Sequence, residues 1–289
     1  MQTRANASPL NLARLTGELE TKATALASIL NGISNVVVAY SGGVDSALLA
    51  VFATRTLGFD RVLSATAVSG SLDPLERTEA AKMARFWGLR HTEVNTDEFN
   101  DERYLRNDAL RCYYCKSSLM DQLEPIARAE GATVVLGVNT DDLGEYRPGQ
   151  KAAAERGAMF PLVGAGFSKV DVRELARLIG LKVWDKPAAP CLSSRLPYGT
   201  RVTIGAVSKV ASAERSIREL GFPVVRVRHY GELASIEVEK GAIADLALRS
   251  SDLERIVSEA GYEGYRIDPL GFRSGSLNEV LVASEEEGV

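Results

Sequence analysis

The chain has 289 residues, 45% of them hydrophobic and 25% charged, with a formal charge of −4. That composition allows one large core or two smaller ones, and it lacks the Lys/Arg block by which long nucleic acids are gripped. No secretory apolar segment opens the sequence, no run of about 18 apolar residues occurs, and three cysteines do not make a disulfide framework. The expectation is a soluble cytoplasmic protein acting on small molecules, with no membrane or nucleic-acid partner.

Apolar residues recur at helical spacing over 10–30, and Gly32 closes that segment as a helix stop. Residues 36–40 then form a short β-branched run without polar alternation, as expected of a strand buried on both faces of a parallel sheet. The spacing next predicts a helix over 47–57, a strand over 61–67, a helix over 74–87 and a strand over 91–95. A helix over 116–130, a strand over 133–136 and a helix over 170–179 capped by Ser168 continue the alternation. The expected fold is therefore a doubly wound α/β domain with a mostly parallel sheet, over 10–186, after a flexible 1–9. Pro187, Pro190, Pro197 and Gly199 break regular structure over 187–200, which reads as a linker and active-site loop. Beyond it a helix, two strands, more helix and a last strand predict a small α+β domain over 201–282, ending in an acidic tail over 283–289 that contains Glu285, Glu286 and Glu287.

Ser41-Gly42-Gly43-Val44-Asp45-Ser46 lies where a buried strand becomes a helix, so backbone N–H groups and the helix dipole favour an anion there. Two glycines let a phosphate approach the backbone, and the Ser41 and Ser46 hydroxyls donate without adding charge. Asp45 makes sense beside phosphate if it holds Mg2+. No GxxxxGK[ST] occurs, so the loop is not a Walker A sequence. It resembles the PP-loop ATP pyrophosphatase superfamily, which implies ATP as cofactor, AMP transfer, and a second nucleotide- or metal-facing segment at Val138-Asn139-Thr140-Asp141-Asp142, with Gly137, Asn139 and Asp141 at the nucleotide.

Cys112 and Cys115 form a CxxC that by itself serves redox chemistry, metal ligation or neither. Cys191 lies in Pro190-Cys191-Leu192-Ser193-Ser194-Arg195-Leu196-Pro197-Tyr198-Gly199, on the irregular linker. Three thiolates brought together suit a [4Fe-4S] cluster with one iron open to an outside ligand, and zinc fits less well because neither His91 nor His229 has metal-type spacing to the cysteines. In this order, SGGVDS, RCYYCK and PCLSSRLPYG resemble the LarE family over nearly the whole chain.

The LarE resemblance implies ATP-dependent sulfur insertion into a pyridinium mononucleotide, for nickel-pincer cofactor synthesis, by a homo-oligomer. It implies adenylation at Asp45 and chemistry at Cys191, Ser194 and Arg195. It also implies a [4Fe-4S] cluster on Cys112, Cys115 and Cys191 that is fed by sulfide or another sulfur donor, with sacrifice of the Cys191 sulfur as the alternative. Alternation in Val225-Arg226-Val227-Arg228 places both guanidiniums on one face. With Arg273 in a Gly/Ser loop that continues through Ser274 to Ser276, they are expected to clamp the substrate phosphate. Glu214 and Asp245 are the matching candidates for a divalent cation. The rival readings are an ammonia-using synthetase, a tRNA thiolase and a nucleotide-binding sensor without turnover.

Overall fold

The computed structural model describes residues 15–144, 147–187 and 189–273. The expected flexible 1–9, the first residues of the leading helix, Ser274 to Ser276 and the acidic tail lie outside the described residues. In chain order the elements are α1 (Gly17–Asn31), β1 (Val36–Ala39), α2 (Val44–Leu57), β2 (Val62–Val68), α3 (Pro74–Phe86), β3 (His91–Asn95), α4 (Glu102–Leu105), α5 (Arg111–Ala129) and β4 (Thr133–Leu136). They continue with α6 (Pro148–Glu155), α7 (Pro161–Gly164), α8 (Lys169–Leu178), α9 (Ile204–Glu219), β5 (Val225–Tyr230), β6 (Leu233–Val238), α10 (Ile243–Ala247), α11 (Ser250–Glu259) and β7 (Gly264–Ile267). Contacts divide them into two units, one running to Glu98 and resuming over Cys112–Ala189, the other made of Phe99–Arg111 and the chain from Pro190 on. The second unit thus takes a segment from the middle of the first, which the single boundary expected near 187–200 does not anticipate.

In the first unit four parallel strands stand in the order β3-β2-β1-β4, with β1 pairing β2 and β4. Successive side chains of β1 serve opposite faces, as strand geometry requires. Val36 and Val38 join the core built on α1, α2 and α8, while Val37 joins Leu119, Met120 and Leu123 of α5 on the other side. This double burial is why the strands read as unbroken apolar runs. Helix α5 begins at Arg111, five residues before its expected start, so Cys112 and Cys115 lie on its opening turns.

The second unit carries a three-stranded mixed sheet, β5 antiparallel to β6 and β6 parallel to β7. Val225 and Val227 face a core with Ala213, Ile217, Leu253 and Ile256.

Both histidines are partly sheltered. His91 Nε2 lies 2.8 Å from the Thr66 hydroxyl, and His229 Nδ1 lies 3.2 Å from the Tyr262 hydroxyl. Burial, the leading cause for each, lowers both imidazoles below the ordinary 6.5. An unfolded chain therefore takes up these two protons near pH 6.5, while the folded chain resists them until lower pH. Stability is expected to fall as pH drops from about 6.5, where only the unfolded state is gaining protons. Urea titrations from pH 7.5 to 5 test this, and a His91→Gln, His229→Gln double variant is expected to flatten the dependence.

Candidate active site

The strand order reverses between β1 and β4, and ligands of open α/β sheets bind beyond the carboxyl ends of strands at such a point. The turn Ser41–Ser46 leaves β1 there, and residues Gly137–Asp142 leave β4. The two are packed so closely that a Cβ on Gly137 would stand 2.7 Å from the Asp45 carbonyl carbon and the Ser46 nitrogen. Gly42 has φ +76°, and a Cβ there would stand 2.7 Å from that of Ala80. Both positions therefore require glycine. The Ser46 hydroxyl accepts from the Ser41 N–H at 3.2 Å and donates to the Gly43 carbonyl at 3.1 Å, and it lies 3.1 Å from the Ser41 hydroxyl. These bonds curl the turn so that the first N–H groups of α2, starting at Val44 and Asp45, face out of the helix end, where an anion is favoured.

Asp45 joins three separate stretches of this unit. Its Oδ1 accepts from the Asn139 amide at 3.0 Å, and its Oδ2 pairs with Lys169 Nζ at 2.5 Å. The Lys169 backbone N–H donates to Asp141 Oδ2 at 3.0 Å, and the Asp141 N–H donates to Asn139 Oδ1 at 3.0 Å. Gly137 and Asn139 thus touch the phosphate turn, and Asp141 is linked to it through Asn139 and Lys169. Lys169 is the residue that sequence reasoning missed. Its only local signal is its place after the Ser168 cap of α8, where it reads as an ordinary surface lysine. The half-exposed ammonium brings a cation to a turn shaped for phosphate. Asp45 and Asp141 offer hard oxygen donors beside it, a set that suits Mg2+ held by one or two carboxylates and substrate phosphates.

In the second unit, half-buried Cys191 caps a single 3-10 turn over Leu192–Arg195. Its carbonyl accepts from the Ser194 N–H (3.0 Å), the Ser194 hydroxyl (2.7 Å) and Arg195 Nη1 (3.1 Å). Arg195 also donates to the Pro190 carbonyl at 2.6 Å and grips Glu214 with two nitrogens. Ser194 and Arg195, expected as catalytic groups, thus hold the backbone that presents the thiol.

Glu214 is fully buried. Its Oε1 accepts from Arg195 Nε (2.8 Å) and the Val227 N–H (3.1 Å), and its Oε2 from Arg195 Nη2 (3.1 Å) and Arg218 Nη2 (2.7 Å). Four donors fill a carboxylate's lone-pair sites. Glu214 is therefore the hub of an arginine cluster, a different role from the cation ligand expected of it. Asp245 is exposed on α10, and no group of three or more His, Cys, Asp or Glu able to hold a metal occurs among the described residues.

Arg226 and Arg228 do alternate with core valines, yet both are about 7% exposed, so the strand face that carries them is covered. Arg228 pairs with Glu237 through two bonds of 3.0 and 2.9 Å and donates to the Ser194 carbonyl at 2.8 Å. Arg226 lies 5.2 Å over the Phe272 ring. Burial, reinforced by Arg195, pulls its guanidinium down to about 10; Glu214 opposes the fall and Arg218 and Arg228 add to it. Arg195, Arg218 and Arg228 thus meet two buried carboxylates, Glu214 and Glu237, on and beside this strand. Arg273, 36% exposed at its side chain, lies 3.9 Å from Asp268.

Cys112 is exposed and Cys115 half-buried on α5 of the first unit, Cys191 belongs to the second, and no disulfide links any of them. The described residues do not gather three thiols into a ligand set for the expected [4Fe-4S] cluster. A hydrophobic groove of about 530 Å³ adjoins the phosphate turn at Gly42 and is lined by Leu75, Met83, Phe86 and Lys182.

A phosphate turn at the switch point of a parallel sheet, with a carboxylate and a lysine at its mouth, defines the PP-loop class of ATP-utilising α/β proteins. Consistently, residues 25–105 match the NAD synthase family model. A pyridinium-3,5-bisthiocarboxylic acid mononucleotide synthase of Lactiplantibacillus plantarum is 36% identical over 92% of this chain and 97% of its own length. An uncharacterised Synechocystis sp. protein is 43% identical over 91% of this chain and 99% of its own. An NH(3)-dependent NAD(+) synthetase of Methanosarcina mazei matches at 45% identity over only 22% of the chain. The chain belongs to the LarE family, that of the pyridinium-3,5-bisthiocarboxylic acid mononucleotide synthases.

Proposed function

We propose that this protein is an ATP-dependent sulfurtransferase that converts pyridinium-3,5-biscarboxylic acid mononucleotide to the bisthiocarboxylic acid on the way to the nickel-pincer cofactor. One observation carries the reading beyond family likeness: Arg228 bonds the Ser194 carbonyl, so the strand that bears Arg226 and Arg228 is tied to the Cys191 turn. On this reading the substrate phosphate is placed at Arg226, Arg228 and Arg273, which sets the pyridinium carboxylates near a thiol.

In the first step the phosphate turn and Lys169 hold the triphosphate while a substrate carboxylate oxygen attacks the α-phosphorus and pyrophosphate departs. Mg2+, carried in by ATP and held by Asp45 and Asp141, would neutralise charge on that leaving group. Positive groups fixed in advance stabilise this charge without reorganising. In the second step the Cys191 thiolate attacks the acyl-adenylate carbonyl, AMP leaves, and a thioester to Cys191 remains. Loss of the Cα proton then breaks the Cβ–S bond, which gives the thiocarboxylate and a dehydroalanine at position 191. The cluster rests on the resemblance alone, since the described thiols form no ligand set, and no step runs through it. Each chain gives up one sulfur in this way, so the two carboxylates of one substrate consume Cys191 of two protein molecules.

A homo-oligomer comes from the same resemblance and a cytoplasmic location from the sequence composition; no described helix is long and apolar enough to cross a membrane. The synthetase reading draws on the family-model match over residues 25–105 and on a relative matched over 22% of the chain. In assay, exchange of labelled pyrophosphate into ATP is expected to depend on the pyridinium mononucleotide. Cys191→Ser is expected to keep that exchange and lose thiocarboxylate formation. Loss of both, or of neither, contradicts the assignment.

A further inference from the structure

The segment that the second unit takes from within the first is built around Asn107. It is fully buried and holds φ +56°, a left-handed conformation that asparagine tolerates better than most side chains. Its amide nitrogen donates to the carbonyls of Pro197 and Thr200, both at 2.8 Å, and more weakly to that of Leu196 at 3.3 Å. Its backbone carbonyl accepts from the Gly199 N–H at 3.0 Å. Its Oδ1 accepts from Arg111 Nη1 at 2.6 Å, and the same Nη1 donates to the Ser193 carbonyl at 2.9 Å. The Tyr104 hydroxyl lies 2.7 Å from the Ser193 hydroxyl, and the Val202 N–H donates to the Leu105 carbonyl at 2.9 Å.

These bonds converge on the turn that Cys191 caps. Ser193 is held by Tyr104 and Arg111, while Arg195 is held by Glu214. The turn is pinned at Ser193 and Arg195, so the place of the Cys191 backbone is set from outside its own loop. A chain needing only a closed loop would achieve it with apolar contacts, whereas a fully bonded buried polar network specifies one geometry.

We propose that Asn107 is a positioning residue: with Arg111 and Tyr104 it forms a bracket that fixes the attack geometry of the Cys191 thiol. The proposal rests on the reading of Cys191 as sulfur donor, and it adds residues that never touch the substrate. Displacing a reacting atom by about 1 Å costs roughly 10²-fold in rate, so the bracket acts on sulfur transfer and spares adenylation.

Asn107→Gly keeps the backbone conformation and removes the side-chain bonds; Tyr104→Phe removes only one hydroxyl. For each full-length variant three quantities are measured: pyrophosphate exchange with the pyridinium mononucleotide, thiocarboxylate formation, and alkylation of each cysteine by iodoacetamide, mapped by peptide mass. For Asn107→Gly the expected result is exchange and ATP KM within about twofold of the parent, with thiocarboxylate formation down about 10²-fold. Its Cys191 alkylation rate changes, while those of Cys112 and Cys115 do not. Tyr104→Phe gives a smaller loss in the same direction, and it carries the test if the glycine variant does not fold. Equal loss in both half-reactions, or an unaltered Cys191 alkylation rate in both variants, overturns the bracket. If the parent shows no exchange, the proposed function fails instead, and the alkylation rates alone judge the bracket.

Discussion

Replacing Asp45 by asparagine is expected to lower pyrophosphate exchange by ~10²–10³-fold, the scale lost when a preorganised charge-stabilising group is removed. The side chain keeps its shape, but the amide cannot form an ion pair with Lys169, and one end of it presents N–H groups where cations are expected. Asn139 Nδ2, which now donates to Asp45 Oδ1, would meet either an amide oxygen or a competing donor. Lys169→Met is expected to reduce exchange less, because it removes one cation and leaves both carboxylates in place. Exchange kinetics at saturating Mg2+ check both. If asparagine at position 45 leaves the rate within a few-fold of the parent, the phosphate turn is not where ATP reacts.

Replacing Glu214 by alanine is expected to destabilise the second unit by about 3–5 kcal/mol, the cost of breaking a buried ion pair from one side. Arg195 and Arg218 would lose the carboxylate that neutralises them, and the Cys191 turn would lose its anchor through Arg195. The effect can be seen separately, because the chain's two tryptophans, Trp87 and Trp184, both lie in the first unit. In urea the helical circular dichroism signal of the variant is expected to begin falling at lower concentration than the tryptophan fluorescence changes. Coincident transitions at the parent's midpoint would show that Glu214 bears little of the second unit's stability.

Which features were legible from the sequence follows the distance over which each is encoded. The phosphate turn is local: a β-branched strand, two glycines and a helix start, all within a dozen residues. Gly42 and Gly137 have steric reasons that only the close packing of two strand ends reveals. Lys169 lies 124 residues from its partner Asp45, and nothing around it distinguishes it from a solvated lysine. The Asn107 bracket is harder still, since the loop carbonyls its amide meets lie 89 to 93 residues away and the segment around it belongs to a different unit from its flanks. Alternation in β5 showed that Arg226 and Arg228 share a face, but not that the face is covered or that Glu237 meets one of them. Period-two patterning reports which side a residue takes and says nothing of what lies over it. The cation role expected of Glu214 failed for a related reason: spacing located the acid, while its four donors come from an adjoining turn, its own helix and a strand.

The central claim is that Cys191 gives up its own sulfur, and the mass of the intact protein after a single reaction with ATP, Mg2+ and the pyridinium mononucleotide tests it most directly. The account predicts a loss equal to the mass of hydrogen sulfide, located at position 191, with one equivalent of thiocarboxylate formed. An unchanged mass alongside several equivalents of product would contradict it and place the sulfur source outside this side chain.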